Sequence, residues 1–140
     1  MSQSPESLLV EVKAEILPGT TKAIRTLKVL QGQLINGHNS LLHEVVCGLL
    51  FRPVMLANEE GDLLVEAVLI DLSMVRTITT EILEPFVRLH SDCVVTQTKL
   101  IFIGLDHPGV QKVFAQRNLD RIFMVKKDRA AALDYLAHEP

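Results

Sequence analysis

Hydrophobic and polar positions change their spacing several times along this chain of 140 residues. Apolar and charged residues alternate over residues 8–17, which predicts a half-buried strand. A turn at 18–20 follows, and residues 23–34 are expected to return as the antiparallel partner of that strand. Turn residues at 36–40 then precede leucines and valines at helical spacing over 41–49. The first third of the chain therefore predicts a β-hairpin followed by a helix.

The remainder of the chain predicts an alternation of strands and helices. The first helix is expected to be disturbed near Pro53, and an acidic turn at 58–62 leads into a very apolar stretch at 67–72 that suits the middle of a parallel sheet. The next elements are expected to be a helix to about Thr96, a strand at 99–104, a helix at 108–116, a strand at 121–125 and a helix at 128–137. Such alternation favours a mostly parallel sheet with right-handed crossovers, which the opening hairpin makes mixed. The predicted fold class is α/β, with about four helices.

The composition of the chain argues against several classes of binding partner. A mass of 15.6 kDa fits one domain over residues 1–140, in which residues 1–7 are expected to form a flexible tail. With no Trp and one Tyr, the chain offers no aromatic platform for single-stranded nucleic acid. A formal net charge of -3 provides no basic field for a phosphate backbone or an anionic lipid surface. Neither nucleic acid nor a membrane is therefore an expected partner.

The remaining sequence signals indicate no secretion and no metal chemistry. The start lacks the positive flank and long apolar core of a secretory signal, and charges interrupt every hydrophobic run, so a cytoplasmic protein is expected. Cys47 and Cys93 lie far apart without metal-ligand spacing and are expected to be buried free thiols. His38 and His43 are five residues apart and point in different directions, no acidic or Cys partner completes a metal site with them, and they are expected to serve surface or capping roles. No cofactor, metal ion or enzyme motif is predicted, and the sequence indicates no oligomeric state.

The most informative stretch covers residues 68–86, VLIDLSMVRTITTEILEPF, where an apolar strand leads through a hydroxyl-rich turn directly into an amphipathic helix. Thr79 and Thr80 lie in this turn, beyond the carboxyl end of the predicted central strand. Open α/β sheets usually place their chemistry or recognition at that edge. The turn is therefore the first candidate for a functional site.

These residues resemble the STAS family, the domain shared by bacterial anti-sigma factor antagonists and the cytoplasmic tails of sulfate transporters. The sequence VLIDLSMV at 68–75 resembles the family's central strand and its Asp-Leu-Ser-x-Val continuation. Residues 98–125 resemble the strand, helix and strand that follow, with Asn-Leu-Asp-Arg at 118–121 where the family has Gly-Leu-Asp-Arg or similar. The resemblance covers about residues 27–136 and implies a STAS-like single domain. By comparison with the family, residues 52–66 look like an insertion that forms a surface protrusion.

The resemblance also implies a switch residue. The family's signature turn usually reads Asp-Ser-Ser-Gly-Leu-Gly, and its first Ser accepts phosphate in members that exchange partners. Counting from Asp71 places Thr80 at this acceptor position, with Thr79 as the neighbouring candidate. A phosphate there would add about -1.5 to -2 charges at a helix start and would oppose an acidic or apolar partner face. The alternative is that the hydroxyl of Thr79 or Thr80 simply caps the helix.

The chain departs from the signature around the candidate acceptor. Thr79 replaces the Asp, Glu81 replaces the second Ser, and Ile82 and Glu84 replace the two glycines. The two glutamates already place negative charge at the helix start, where they would partly mimic a phosphate or weaken its effect. Pro85 indicates that the helix begins near Glu84, because proline is tolerated in the first turn.

The loop that opens the next helix implies a second part of the same surface. Asp106 or His107 is expected to cap that helix, with Pro108 at its first position. In the family this loop lies near the acceptor turn. The predicted partner-binding residues are therefore Met74, Thr79, Thr80, Glu81, Glu84, Asp106 and His107.

Three functional hypotheses follow from the resemblance and the departures. The first is a non-enzymatic regulatory protein that binds an anti-sigma factor or a histidine-kinase-like ATPase and is controlled by phosphorylation of Thr80. The second is a STAS scaffold or transporter-accessory subunit that has lost phosphate control. The third is a small-molecule binder or enzyme, which would need a deep polar pocket near Thr80, Asp106 and His107.

Overall fold

The structure is a computed structural model that describes residues 8–17, 19–20, 22–51, 54–55, 62–63 and 65–138. Within these residues the strands are β1 (Val10–Ile16), β2 (Ala23–Val29), β3 (Gln33–Leu34), β4 (Val54–Met55), β5 (Asp62–Leu63), β6 (Val65–Asp71), β7 (Thr77–Ile78), β8 (Lys99–Ile103) and β9 (Met124–Lys126). The helices are α1 (Asn39–Phe51), α2 (Leu83–Thr96), α3 (Pro108–Gln116), α4 (Leu119–Ile122) and α5 (Arg129–His138). Short 3-10 turns at Asn36–His38 and Thr80–Ile82 precede α1 and α2.

Five strands form the main sheet of the described chain, in the order β1-β2-β6-β8-β9. Strands β1 and β2 are antiparallel, with Val10 opposite Val29 and Ile16 opposite Ala23. The β2–β6, β6–β8 and β8–β9 pairs are all parallel. The opening hairpin and the mixed, mostly parallel sheet predicted from the sequence are therefore confirmed, and β6 is the central strand.

Strand β6 is buried on both faces because apolar side chains occupy consecutive positions along it. Val68 and Ile70 belong to the larger core, which they share with residues of α1, α2 and α3. Ala67 and Leu69 belong to a smaller core, which they share with residues of α5. An uninterrupted apolar run is what a central parallel strand covered on both faces requires. The sheet is thus the middle layer of three.

Four phenylalanines fill the larger core beneath α2 and α3. The ring centroid of Phe102 on β8 lies 5.2 Å from that of Phe86, 5.6 Å from that of Phe114 and 4.6 Å from that of Phe123. Aromatic pairs in edge-to-face or stacked geometry contribute about 0.5–1.5 kcal/mol each beyond the burial of their area. These contacts fix α2 and α3 against β8, and so fix the two loops that lead into those helices.

The hairpin is tied to α5 by a polar cluster on the face of the smaller core. The Arg129 guanidinium donates to the Glu15 carboxylate and, at 3.2 Å, to the Thr26 hydroxyl. On β1 itself, Val12 is 47% exposed and Ala14 is also exposed, so this strand is less buried than its alternation predicts.

The predicted return strand is shorter than expected. It ends at Val29, and Gln33–Leu34 leaves the main sheet to form β3, which pairs in parallel with β7. The prediction of a helix directly after β6 is therefore wrong for this segment. The segment first passes through this small second sheet.

A short helix replaces the beginning of another predicted strand. Arg121 and Ile122 belong to α4, whose turn is closed by the amide of Phe123 donating to the carbonyl of Leu119 at 2.8 Å. Strand β9 consequently begins at Met124. The described chain has this fifth helix in addition to the four that the sequence predicts.

The segment between α1 and β6 is described only in part. Strands β4 and β5 pair with each other antiparallel. The disturbance predicted near Pro53, most of the acidic turn at 58–62 and the tail at 1–7 lie outside the described residues, and the insertion at 52–66 stays a prediction. None of the helices in the described part of the chain has the length and apolar character needed to span a bilayer.

Candidate functional site

The carboxyl end of β6 is closed by a tight turn. Asp71 Oδ1 accepts a hydrogen bond of 2.9 Å from the amide of Ser73, and the amide of Leu72 donates to the carbonyl of Ile103 on the neighbouring strand at 3.0 Å. Gly104 lies against this turn at φ +74, and a Cβ there would lie 2.8 Å from the amide nitrogen of Ser73. Only glycine fits both that conformation and that approach. The loops after β6 and β8 are therefore pressed together.

Backbone hydrogen bonds then carry the chain from this turn toward Thr79. The amides of Arg76 and Thr77 both donate to the carbonyl of Gly32, at 2.7 and 3.0 Å. The amide of Thr79 donates to the carbonyl of Leu34 at 3.2 Å. Residues 76–79 are thus held along the loop that follows β2, which sets the position of the 3-10 turn at Thr80–Ile82.

Thr79 does not cap the helix with its side chain. It is the residue before the 3-10 turn, with an extended backbone, but its hydroxyl makes no capping hydrogen bond. Its Oγ1 is buried and has no hydrogen-bond partner among the described residues. The residue before α2 is Ile82, which has no polar side chain to offer. The capping role considered for the threonines is therefore wrong for Thr79.

Thr80 occupies a different environment from that of its neighbour. It is half-buried and lines a surface cavity of about 610 Å³ between the start of α1, the start of α2 and the α3–α4 turn. Thr80 holds neither N-cap position, because Thr79 precedes the 3-10 turn and Ile82 precedes α2. The other residues lining the cavity are Asn39, Glu81, Leu83, Glu84, Val87, Arg117 and Leu119. Thr80 is thus the candidate acceptor that lines this cavity.

Two carboxylates flank Thr80 at the start of α2. Glu81 and Glu84 are both exposed and both line the cavity. Each lies in the first turn of its helical segment, where negative charge is favoured by the helix dipole. Asn39 Nδ2 donates to the carbonyl of Glu81 at 3.1 Å, which joins the start of α1 to this turn. Pro85 falls in the first turn of α2, as predicted, where no backbone N–H is required.

The remaining predicted residues form a second surface patch. Met74, Asp106 and His107 line a cavity of about 400 Å³ together with Ser73, Val75, Arg76 and Pro108. Met74 is 47% exposed and also lines a neighbouring cavity with Gly32 and Gln33. The structure therefore brings Met74 together with Asp106 and His107, and it brings Thr80 together with Glu81 and Glu84. Thr79 lines neither cavity.

The start of α3 is the well-capped helix start that the sequence predicts. His107 Nδ1 accepts a hydrogen bond of 3.1 Å from the amide of Gly109, and Pro108 is the first helical residue. The carbonyl of His107 accepts from the amides of Val110 and Gln111 at 3.0 and 3.1 Å. A Cβ on Gly109 would lie 3.0 Å from the Arg76 carbonyl, so this helix start packs closely on the segment after β6.

Sequence reasoning missed Asn39 and Arg117, which both line the Thr80 cavity. Asn39 belongs to the turn sequence at 36–40 and Arg117 immediately precedes the Asn-Leu-Asp-Arg motif, but neither signal indicates proximity to Thr80. Only the packing of α1 and the α3–α4 turn beside α2 brings these side chains to one cavity.

The histidines and cysteines take structural positions. His38 is buried, contrary to the surface role expected for it, and its Nδ1 accepts from the amide of Ile35 at 3.0 Å. Cys93 is a buried free thiol, as predicted, and burial, with a smaller contribution from Asp92, raises its pKa to about 12. Cys47 is free and half-buried. No group of three or more His, Cys, Asp or Glu side chains suited to a metal ion occurs among the described residues.

The fold is shared with solved structures of anti-sigma factor antagonists. The chain superposes on an anti-sigma factor antagonist from Mycobacterium paratuberculosis with a TM-score of 0.72 and 15% identity, covering 97% of this chain and 99% of that chain. It superposes on the anti-sigma factor antagonist SpoIIAA in its unphosphorylated form with a TM-score of 0.60 and 10% identity, covering 92% and 100% of the two chains.

A transporter-related protein has the same fold. The chain is similar to a sulfate transporter family protein from Wolinella succinogenes, with a TM-score of 0.60 and 13% identity, covering 81% of this chain and 84% of that chain. No protein-family model and no curated protein matches the sequence. The comparisons therefore confirm the STAS resemblance at the level of the fold.

Proposed function

We propose that this chain is a non-enzymatic regulatory module of the cytoplasm that binds a protein partner, such as an anti-sigma factor or a histidine-kinase-like ATPase. Phosphorylation of Thr80 controls that binding. The observation that carries the proposal is the contrast between adjacent threonines: Thr80 lines a surface cavity at the start of α2, whereas the hydroxyl oxygen of Thr79 is buried. The fold shared with anti-sigma factor antagonists supports the same class of function.

The electrostatics of the cavity give the phosphate a large effect. Glu81, Glu84 and Arg117 line it with two negative charges and one positive charge, a sum of -1. A phosphate on Thr80 adds about -1.5 to -2, so the local charge becomes about -2.5 to -3. An acidic partner face would be repelled by the phosphate. An apolar partner face would remove water from the phosphate without replacing its hydrogen bonds. Phosphorylation therefore acts as a release signal.

The second patch supplies an anchor that does not change with phosphorylation. Met74 is exposed beside Asp106 and His107, and methionine side chains adapt well to a docking partner because they are flexible and polarizable. An apolar side chain surrounded by polar groups has the composition of an interface centre with a polar rim. The partner is thus expected to contact both patches, with only the Thr80 patch responding to phosphate.

A phosphorylation-independent scaffold or transporter-accessory subunit is the second candidate. Glu81 and Glu84 favour it, because they hold negative charge beside Thr80 before any modification. The fold similarity to a sulfate transporter family protein is consistent with it. In this case the partner would bind equally well whatever stands at position 80.

The test compares partner capture from the native cytosol by the wild-type chain, Thr80→Ala and Thr80→Glu. Ser91→Glu is the matched control, because Ser91 is exposed on the same helix and lines neither cavity. We expect Thr80→Glu to lose a partner that Thr80→Ala and Ser91→Glu retain. Identical partners for all four proteins, with no phosphate on Thr80, would contradict the switch and support the scaffold.

A further inference from the structure

We propose that Arg117 binds the phosphate of Thr80, so that phosphorylation forms an ion pair across the cavity between the start of α2 and the α3–α4 turn. This inference rests on the proposed function. It identifies the group that binds the phosphate. Phosphorylation then affects two charges on the docking surface, because it adds the negative charge of the phosphate and engages the positive charge of Arg117.

Arg117 is the positive side chain of the cavity lining. Thr80 and Glu81 come from the 3-10 turn before α2, Glu84 comes from the first turn of α2, and Arg117 comes from the α3–α4 turn. In the described part of the chain, the Arg117 side chain is exposed and makes no ion pair. The two carboxylates oppose a phosphate, and Asn39, which lines the wall from α1, carries no charge. The guanidinium is therefore the group in this cavity whose charge favours the modified state.

The backbone beneath Arg117 is held in place while its side chain extends into solvent. Arg117 is the C-cap residue that follows α3, and the next residue, Asn118, adopts a left-handed conformation with φ 58. The amide of Asn118 donates to the carbonyl of Ala115 at 3.0 Å, and Leu119 is buried in the larger core while also lining the cavity. The turn is thus anchored on both sides, and it holds Arg117 at the cavity that Thr80 also lines.

Guanidinium chemistry suits this role. A planar guanidinium with several N–H donors binds phosphate oxygens with two parallel hydrogen bonds, which gives both energy and a fixed direction. The side chain of Asn39 already has a hydrogen-bond partner, because its Nδ2 donates to the carbonyl of Glu81 at 3.1 Å. That bond holds the turn that carries Thr80 against α1. Asn39 therefore positions the turn, and Arg117 binds the phosphate.

The ion pair has a consequence for partner recognition. In the unmodified protein, Arg117 is available to a carboxylate of a docking partner beside the Thr80 cavity. In the modified protein, the phosphate occupies the guanidinium and adds its own negative charge. An acidic partner surface then loses an attraction and gains a repulsion in one step.

The experiment uses the full chain with phosphothreonine genetically encoded at position 80, and follows its ³¹P NMR signal during a pH titration. The second pKa of the phosphate, about 6 in the absence of neighbours, is lowered by a nearby cation and raised by nearby carboxylates. We expect Arg117→Gln to raise that pKa by about 0.5, a modest shift because solvent screens the pair. Arg117→Lys, which keeps the charge, should restore most of the wild-type pKa.

Arg121→Gln is the matched control, because Arg121 is exposed on α4 and does not line the cavity. Its titration should coincide with that of the wild type. If Arg117→Gln unfolds, as judged by its amide proton spectrum, Arg117→Met takes its place. Equal pKa values for the wild type and the uncharged Arg117 variant would overturn the ion pair but leave the switch standing. Absence of Thr80 phosphate in cells would overturn the switch and leave the titration result unchanged.

Discussion

Helices α2 and α3 begin at the same edge of the sheet, after β6 and β8, but their first turns are built differently. The start of α3 is closed, with His107 as an N-cap and Pro108 at the first position. Within the described residues, the start of α2 has no side-chain cap, the Thr79 hydroxyl oxygen is buried without a hydrogen-bond partner, and Thr80 lines a cavity there.

This difference indicates that the start of α3 contributes to stability and that the start of α2 contributes to function. A capped helix start satisfies its own donors and gains about 1 kcal/mol. At the start of α2 the amides of Ile82 and Leu83 donate to the carbonyls of Thr79 and Thr80 instead of to a side chain, and the helix dipole still favours an added anion there. We therefore expect substitutions around α3 to lower the free energy of unfolding, and substitutions at Thr80 to change binding with little effect on stability.

The largest expected effect comes from the closed region. Gly104→Ala would place a Cβ 2.8 Å from the Ser73 amide at a positive φ, and should lower the free energy of unfolding by about 3 kcal/mol. Gly19→Ala is the matched control, since it shares the positive φ but, apart from its chain neighbours, no described atom lies within 4 Å of a Cβ there, and it should cost about 1 kcal/mol. Chemical denaturation measures both. Equal costs would show that the loops after β6 and β8 are not pressed together.

The buried hydroxyl of Thr79 predicts a stabilising substitution. Thr79→Val replaces an unpartnered buried oxygen with a methyl group of similar size, and should raise the free energy of unfolding by about 1 kcal/mol. Thr80→Val, at the adjacent position that lines the cavity, should change it by less than about 0.5 kcal/mol. Urea titration of the two variants separates these values. A destabilised Thr79→Val would mean that its hydroxyl is hydrogen-bonded.

The cap of α3 predicts a loss of similar or smaller size. His107→Ala removes the acceptor of the Gly109 amide and should cost about 1 kcal/mol in thermal or chemical unfolding. His107→Asn, which keeps a side-chain acceptor suited to a cap, should recover most of that stability. If both variants unfold alike, the side chain of His107 does not cap the helix.

Much of the fold could be predicted from the pattern of the sequence, because long periodic segments carry their own signal. The apolar run of β6 predicted a central parallel strand, and the alternation at 8–17 predicted the hairpin. Strands β3 and β7 were not predicted, since two-residue strands have no period and depend on contacts between distant segments. Helix α4 was also missed, because a single turn has no period and this turn follows the left-handed residue Asn118.

The candidate site could be located from the sequence, but the sequence does not show which of its side-chain atoms are buried or which distant residues join it. Counting from Asp71 identified Thr79 and Thr80, and the Asp-His-Pro sequence identified the start of α3. Both threonines are half-buried, and that the hydroxyl oxygen of Thr79 is buried depends on side-chain direction, which the sequence does not encode locally. Arg117 comes from another element, so only tertiary packing brings it beside Thr80.

The central claim is that Thr80, rather than Thr79, is the switch, and site-resolved phosphopeptide mass spectrometry of the chain from its native cells tests it most directly. Trypsin cleavage after Arg76 and Arg88 yields a peptide of residues 77–88 with Thr77, Thr79 and Thr80 as its hydroxyl residues. We expect fragment ions to place phosphate on Thr80 and none on Thr79 or Thr77. Phosphate on Thr79, or an unmodified peptide under every condition that changes partner binding, would contradict the account.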